Sequence, residues 1–344
     1  MADVRRAVRD ALAVAIPDAR AAVTRDPGCG TPGGWVVPAD APVVLVALSG
    51  GPDSLGLAAA LGFEAAKCGV RAGAVIVDHA LQPGSADVAA RAAEQAGSLG
   101  LAPVVIERVD VTATKAGPEA DARTARYAAL NRVAHSTGAV AVLLGHTLDD
   151  QAETVLLGLS RGSGARSLSG MRVVSTREGS PLLLVRPLLG VRRETVAQSC
   201  ADQELGPWID PHNADSSYAR VRVRADVLPV LERELGPGIA EALARTASQL
   251  AEDTEVLDEL AHRALADCRT AQGNLTVDVL SPLPTALRRR VILQWLLQSG
   301  SSGLSAAHIE AVDQLVIAWS GQRDVEVPNV RVARREGEIT IDTP

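Results

Sequence analysis

The feature that most constrains the fold is VVLVALSGGPDSLGLAAAL, residues 43–61, in which the apolar run 43–48 passes directly into Ser49-Gly50-Gly51-Pro52-Asp53-Ser54 before a helical pattern begins. An apolar run without polar alternation, closed by Gly and Pro, reads as a strand covered on both faces. A glycine turn between such a strand and a helix leaves N–H groups unpaired at the positive end of the helix dipole, which suits phosphate oxygens. Pro52 fits the first helical position, where its missing N–H costs nothing. Asp53 is the anomaly, because a carboxylate in a phosphate cradle repels its ligand. The loop lacks the lysine of GxxxxGK[ST] and the spacing of GxGxxG. Ala47 stands where a GxSxG hydrolase elbow needs its first glycine. The plain alternative is a tight strand-to-helix turn capped by Ser and Asp.

Three further apolar runs, 72–78, 103–109 and 139–145, read as strands, with helical patterns near 55–68, 86–99 and 119–137 between them. This alternation predicts an α/β fold with a doubly wound parallel sheet, whose ligands gather where strand C-termini meet helix N-termini. Ser49–Ser54, Asp78-His79 and Gly145-His146 all fall at such ends. A helix near 149–160, a hairpin around REGSP and a helix near 192–205 follow. From about 225 the pattern is mainly helical (225–236, 238–268, 284–299 and 305–320), with short strands at 275–279, 323–333 and 338–342. The organisation expected is an N-terminal helix and loop over 1–40, a nucleotide-binding domain over 41–220, and a smaller, mainly helical domain over 221–344.

The composition narrows the function classes. With 344 residues, 47% apolar and only 2% aromatic, the chain can bury a large core built of Ala, Val, Leu and Ile. No run of roughly 18 or more apolar residues occurs, so no membrane span is expected. The N-terminus carries Asp and Arg through its apolar positions, which suits an amphipathic helix better than a signal peptide. Cys29, Cys68, Cys200 and Cys268 form no CxxC pair, which gives a zinc or redox site no local support and fits reduced thiols in the cytoplasm. The net charge of −7 argues against bulk attraction to nucleic acid but leaves room for a local basic face. All basic residues except Lys67 and Lys115 are arginine.

Two more blocks carry chemistry. In GHTLDDQAETVLLGLSRGSG, 145–164, Asp149 and Glu153 lie i, i+4 on one helical face, beside Asp150 and just after His146. Grouped acids opposite a phosphate loop are what Mg²⁺ uses, although acids in a first helical turn also simply satisfy the dipole. Gly162 and Gly164 either cap that helix or leave Arg161 and Arg166 free to reach a ligand. In EADARTARYAAL, 119–130, Arg123, Arg126 and Tyr127 share or adjoin one face, and Glu119–Arg123 is equally readable as an ordinary i, i+4 pair.

SGGPDS resembles the signature of the PP-loop (N-type) ATP pyrophosphatases, the adenine nucleotide alpha hydrolase-like enzymes that cleave ATP between the α and β phosphates. VDHAL (77–81), EADARTARY, GHTLDDQAETVLLGLSRGSG, RPLL (186–189) and WIDPHNADSSYARVRVR (208–224) narrow the likeness to the tRNA(Ile)-lysidine synthases over about 43–229. The chain departs from that pattern at Val221, where the family often has asparagine, and resembles a shorter form with one C-terminal domain.

The resemblance implies a ligase. ATP adenylates the carbonyl oxygen at carbon 2 of the wobble cytidine in a CAU-anticodon isoleucine tRNA, pyrophosphate leaves, and the ε-amine of L-lysine displaces AMP. It implies ATP bound by Ser49, Gly50, Gly51, Pro52, Asp53, Ser54, Asp78, His79, Gly145 and His146. Catalysis would fall to Asp53, Asp149, Asp150, His146 and Arg123, with Mg²⁺ held by Asp53 and Asp149. The tRNA would meet Arg126, Glu153, Arg161, Arg166, Arg220, Arg222 and Arg224. The last three would point alike if extended, and Arg288-Arg289-Arg290 is either a further tRNA face or a solvated charge run. A homodimer is allowed. The competing readings are a PP-loop tRNA thiolase, which would need a sulfur-handling cysteine cluster, and a non-catalytic nucleotide- or RNA-binding relative, which would have lost loop or acidic residues.

Overall fold

A computed structural model describes residues 1–26, 28, 34–80, 82, 84–110, 114, 117–177, 179–211 and 215–342. Cys29, Leu81, Lys115 and 212–214 of the polar block lie outside the described residues. The chain forms two compact units, Met1–Ser248 and Gln249–Pro344. The segment 221–248, assigned from sequence to the second domain, lies in the first unit, where Leu228 and Ala240 are buried against Leu148 and Ala152.

The first unit is built on a six-stranded sheet: β1 (Val43–Ala47), β2 (Arg71–Asp78), β3 (Val104–Arg108), β4 (Ala139–Leu143), β5 (Val174–Arg177) and β6 (Ser180–Val185), in the order β3-β2-β1-β4-β6-β5. Neighbours pair in parallel except β5, which runs antiparallel to β6 at the edge. The missing polar alternation of β1 has a direct cause. Val44, Val46 and Leu48 are buried in one core with the helices Ala2–Ala15 and Pro52–Cys68. Val43, Leu45 and Ala47, on the opposite face, pack against Tyr127, Leu130 and Val133 of the helix Pro118–Thr137. Each face of the strand therefore buries an apolar set.

The winding direction reverses between β1 and β4, since β2 and β3 extend the sheet one way and β4 and β6 the other. Such a switch point opens a crevice at the strand ends. The loop 49–54 leaves β1 there, and Gly145 and His146 follow β4. The helix Pro52–Cys68 begins on Pro52 with Gly51 as its N-cap, as the sequence suggests.

In the second unit, Ala261, Leu265, Trp295, Val312, Leu315 and Val332 share a buried core. Its sheet contains Leu275–Thr276, Val325–Val327, Val330–Arg335 and Glu338–Asp342. The strand expected over 275–279 is shorter, because the chain turns helical at Val277–Leu280.

Two further sequence expectations need correction. Residues 220–224 are not extended: Ala219–Arg222 is α-helical and Val223–Val227 π-helical, so Arg220 and Arg224 share a helix face and Arg222 diverges from it. Arg288-Arg289-Arg290 is not a free basic face. Arg288 is buried and donates to Asp313, Arg289 reaches Asp313 and Glu310, and Arg290 reaches Asp258.

Candidate active site

The glycine loop is fixed from within and from outside. The Ser49 N–H donates to Ser54 Oγ at 3.2 Å, the two hydroxyls are 3.1 Å apart, and Ser54 Oγ donates to the Gly51 carbonyl at 3.0 Å. Gly50 has a φ of +81°, a backbone region costly for other residues. Its carbonyl accepts the Trp208 N–H at 2.9 Å, which fastens the WIDP segment to the loop. Gly145 approaches so closely that a Cβ there would stand 3.3 Å from the Asp53 backbone and from Ser54 Cα.

Two clefts meet at Ser49. One, of about 510 Å³, lies over the end of β2 and is lined by Ile76, Asp78, His79, Val88 and Trp208 among others. The other, of about 370 Å³, lies over the loop and is lined by Gly51–Ser54, Gly145, His146, Asp150, Arg126, Arg193, Arg220 and Arg224. The first offers apolar walls and an aromatic plane, and the second offers cations and loop hydroxyls. At the rim, buried Asp78 accepts the Ala80 N–H at 2.9 Å. Burial alone would raise the Asp78 pKa, but this bond and the Ser85 hydroxyl outweigh it and hold the carboxyl below its usual range. Burial, with Arg126 nearby, holds His79 below the ordinary imidazole value.

The acids behind the loop are organised by arginines. Asp150 forms a capping box, its Oδ2 accepting the Thr147 N–H at 2.8 Å and its hydroxyl at 2.9 Å. Its Oδ1 accepts Arg193 Nη2 at 2.8 Å. Glu153 is fully buried and accepts Arg224 Nε at 2.7 Å and Arg193 Nη1 at 3.3 Å, with Arg220 Nε 3.5 Å away. Against the cost of its burial, Asp150 is held low by Arg193 and the Thr147 N–H. Asp53 differs: burial raises it to about 6 despite Arg193, and its Oδ1 is buried with no hydrogen-bond partner among the described residues. His146 is driven well below 6.5, chiefly by burial, which keeps its ring neutral at physiological pH.

The expected site residues separate into groups. Asp53, Asp150, His146, Arg126, Arg220 and Arg224 converge on the phosphate cleft. Arg126 makes no hydrogen bond or ion pair to another described residue, and burial lowers its pKa. Asp149 does not line this cleft: its Oδ2 accepts the Arg193 backbone N–H at 2.7 Å, and its Oδ1 is 3.6 Å from Arg192. It joins Glu153 instead around a smaller cavity of about 140 Å³. Arg123 and Arg161 line a fourth cavity, of about 420 Å³, which shares His146 and Arg220 with the phosphate cleft. Arg166 is exposed on the short helix Ala165–Leu168. Arg222 is exposed too and donates to the Ser216 and Ser217 carbonyls, both at 2.7 Å.

Sequence reasoning missed Arg193. Its only signal was the Arg-Arg pair opening the helix predicted near 192–205. Among the described residues no cluster of His, Cys, Asp and Glu is arranged to hold a metal by itself. Any cation here would have to share phosphate oxygens, and Asp53 is a carboxylate of the loop that lines this cleft.

The chain matches two family models, a PP-loop domain over residues 34–231 and a TilS substrate binding domain over 275–340. It is 50% identical over 341 residues, 98% of each chain, to the tRNA(Ile)-lysidine synthase of Leifsonia xyli subsp. xyli. It is 48% identical to that of Salinispora tropica, over 100% of this chain and 97% of the relative. Among solved structures, the U34-tRNA thiolase NcsA from Methanococcus maripaludis with its [4Fe-4S] cluster shares the fold, with a TM-score of 0.52 and 20% identity over 72% of this chain and 79% of its own. With loop, acids and arginines all in place and near-full-length relatives of one kind, the chain belongs to the tRNA(Ile)-lysidine synthase family.

Proposed function

We propose that this protein converts the wobble cytidine of a CAU-anticodon isoleucine tRNA to lysidine, using ATP and L-lysine. The observation that carries the reading is the pair of clefts meeting at Ser49, one suited to adenosine and one to a triphosphate. ATP would lay its base against Trp208, Ile76 and Val88 and its phosphates over the loop hydroxyls, within reach of Arg126, Arg220 and Arg224. In the first step the C2 carbonyl oxygen of cytidine attacks the α-phosphorus while the bond to pyrophosphate breaks. Donors fixed before the reaction stabilise the charge growing on the leaving pyrophosphate. In the second step the neutral lysine ε-amine attacks C2, the bond from C2 to the AMP oxygen breaks, and the amine gives up its proton.

Mg²⁺ would be held by the Asp53 carboxylate together with phosphate oxygens, and when bound it would neutralise charge on the departing pyrophosphate. Asp149, the other acid expected to hold it, is turned to the backbone of Arg193 and is better suited to holding the smaller cavity in shape. The neutral imidazole of His146, which lines both the phosphate cleft and the Arg123–Arg161 cavity, would meet the reacting nucleotide without adding charge. The Arg123–Arg161 cavity is the natural entry for the cytidine. The second unit would contact the body of the tRNA, and a cytoplasmic location accords with this substrate.

The test is incorporation of radiolabelled lysine into CAU-anticodon tRNA, with pyrophosphate release measured alongside and Asp53→Asn as control. Incorporation that requires ATP, this tRNA and Asp53 is expected. Intact ATP binding without incorporation would sink the reading and favour a thiolase or a non-catalytic relative.

A further inference from the structure

Arg193 is the first residue of the helix Arg193–Ala201, and its side chain is only 23% exposed. Its guanidinium spans three acids from two other helices. Nε lies 3.4 Å from Asp53 Oδ2, Nη2 donates to Asp150 Oδ1 at 2.8 Å, and Nη1 to Glu153 Oε1 at 3.3 Å. Its backbone N–H donates to the fourth acid, Asp149, at 2.7 Å. A planar fork with several donors can bridge carboxylates in this way, and a single ammonium cannot.

The backbone is built for this contact. One turn after Asp53, Gly56 faces Val196, one turn after Arg193, and a Cβ on Gly56 would stand 2.8 Å from Val196 Cγ1. Only a glycine lets the two helices close to the distance at which Arg193 reaches the phosphate loop. The loop leaves β1 and the Asp150–Glu153 helix follows β4, so no backbone hydrogen bond joins Asp53 to those acids. Arg193 provides that link, occupying one oxygen of Asp53 and leaving the other unpaired among the described residues.

We propose that Arg193 is the positioning residue of this site: through one guanidinium it holds Asp53 of the phosphate loop in register with Asp150 and Glu153, at the cleft where ATP is opened. This rests on the ATP-dependent reading above. The role is indirect, so Arg193 matters only while Asp53 has a carboxylate to be held.

A double-mutant cycle tests it, with Arg193→Met, Asp53→Asn and the double variant compared with wild type in tRNA-dependent pyrophosphate release and in equilibrium dialysis of Mg·ATP. Arg193→Met is expected to lower the rate about 100-fold in the wild-type background, the scale of an ångström-sized misplacement, and less than about threefold in the Asp53→Asn background. Arg193→Lys should recover only a small part of the loss. Losses that simply multiply in the double variant overturn the proposal, as does a Lys variant as active as wild type. If Arg193→Met does not fold, the cycle is run with Arg193→Lys, which retains the charge and the backbone bond to Asp149. If wild type releases no pyrophosphate, the function reading fails by itself, and the dialysis cycle still decides whether Arg193 acts through Asp53.

Discussion

Arg224 Nε donates to Glu153 Oε1 at 2.7 Å, joining two polar blocks 71 residues apart in the chain. Glu153 also meets Arg193 and Arg220, while Arg224 and Arg193 both reach Asp150. The acids behind the phosphate loop are therefore largely neutralised by the protein's own guanidinium groups. Because Arg193, Arg220 and Arg224 also line the phosphate cleft, an incoming triphosphate meets cations already ordered by the acids behind them. This answers the anomaly of Asp53: the carboxylate lies at the edge of a cationic cleft, with one oxygen held by Arg193.

Gly145→Ala should damage ATP binding more than folding. The added Cβ would press on the Asp53 backbone and Ser54 Cα at 3.3 Å, and backbone cannot swing aside as a side chain can. A loss of ATP affinity on the order of tenfold is expected, since phosphate donors displaced by tenths of an ångström lose their alignment. Equilibrium dialysis with ATP measures it, and unchanged affinity would mean that the loop tolerates the shift.

The Asp53 pKa of about 6 gives a signed pH effect. Between the ordinary carboxylate value and pH 6 the folded protein keeps a proton that the unfolded chain has released. Stability contributed by this group is thus lost as pH rises through that window and does not return above it. Asp53→Asn, which has no charge to bury, should be stabilised relative to wild type at pH 7.5 by roughly 2–3 kcal/mol, at about 1.4 kcal/mol per pKa unit. At pH 4 the difference should vanish. His146 acts with the opposite sign, its depressed pKa costing stability as pH falls below 6.5. Urea unfolding of both proteins at the two pH values, compared with His146→Asn, separates the contributions.

Arg222→Ala should weaken tRNA binding while leaving ATP binding unchanged. Arg222 points away from the face shared by Arg220 and Arg224 and braces the exposed turn at Ser216 and Ser217. One lost cationic contact should lower tRNA affinity several-fold and reduce the salt slope by about one. Filter binding across a salt series reads both, and an identical slope would remove Arg222 from the tRNA surface.

Asp313→Ala should destabilise the second unit by about 3–5 kcal/mol, the range for removing one partner of a buried ion pair. Asp313 has no exposed side-chain surface and accepts Arg288 Nε at 2.5 Å and Arg289 Nε at 2.9 Å. Substitution would strand the Arg288 guanidinium in the core. Thermal unfolding followed by circular dichroism should show the loss, with ATP binding preserved.

Much of the fold was legible because it rests on local pattern. The run 43–48 had to be a strand buried on both faces, and Gly51-Pro52 had to open a helix, because sterics and apolar periodicity act over a few residues. The blocks around Asp53, Asp78 and His146 announced themselves as strand ends for the same reason. The alternation in RVRVR misled, since it matches a strand period, yet pairing of Arg220 and Arg224 with Glu153 requires the i, i+4 face of a helix. The run 288–290 misled in the other direction, because an arginine sequence carries no sign of the buried Asp313 that holds it.

By itself the sequence determined the strand order's raw material, the phosphate loop and the family to which those blocks belong. Tertiary structure alone decided which acids face the cleft and which arginine unites them. Asp53 and Arg193 are 140 residues apart, and they meet because Gly56 lets two helices close on each other. Which charges pair depends on distance and burial in the folded chain, and neither quantity is written in the spacing of the residues.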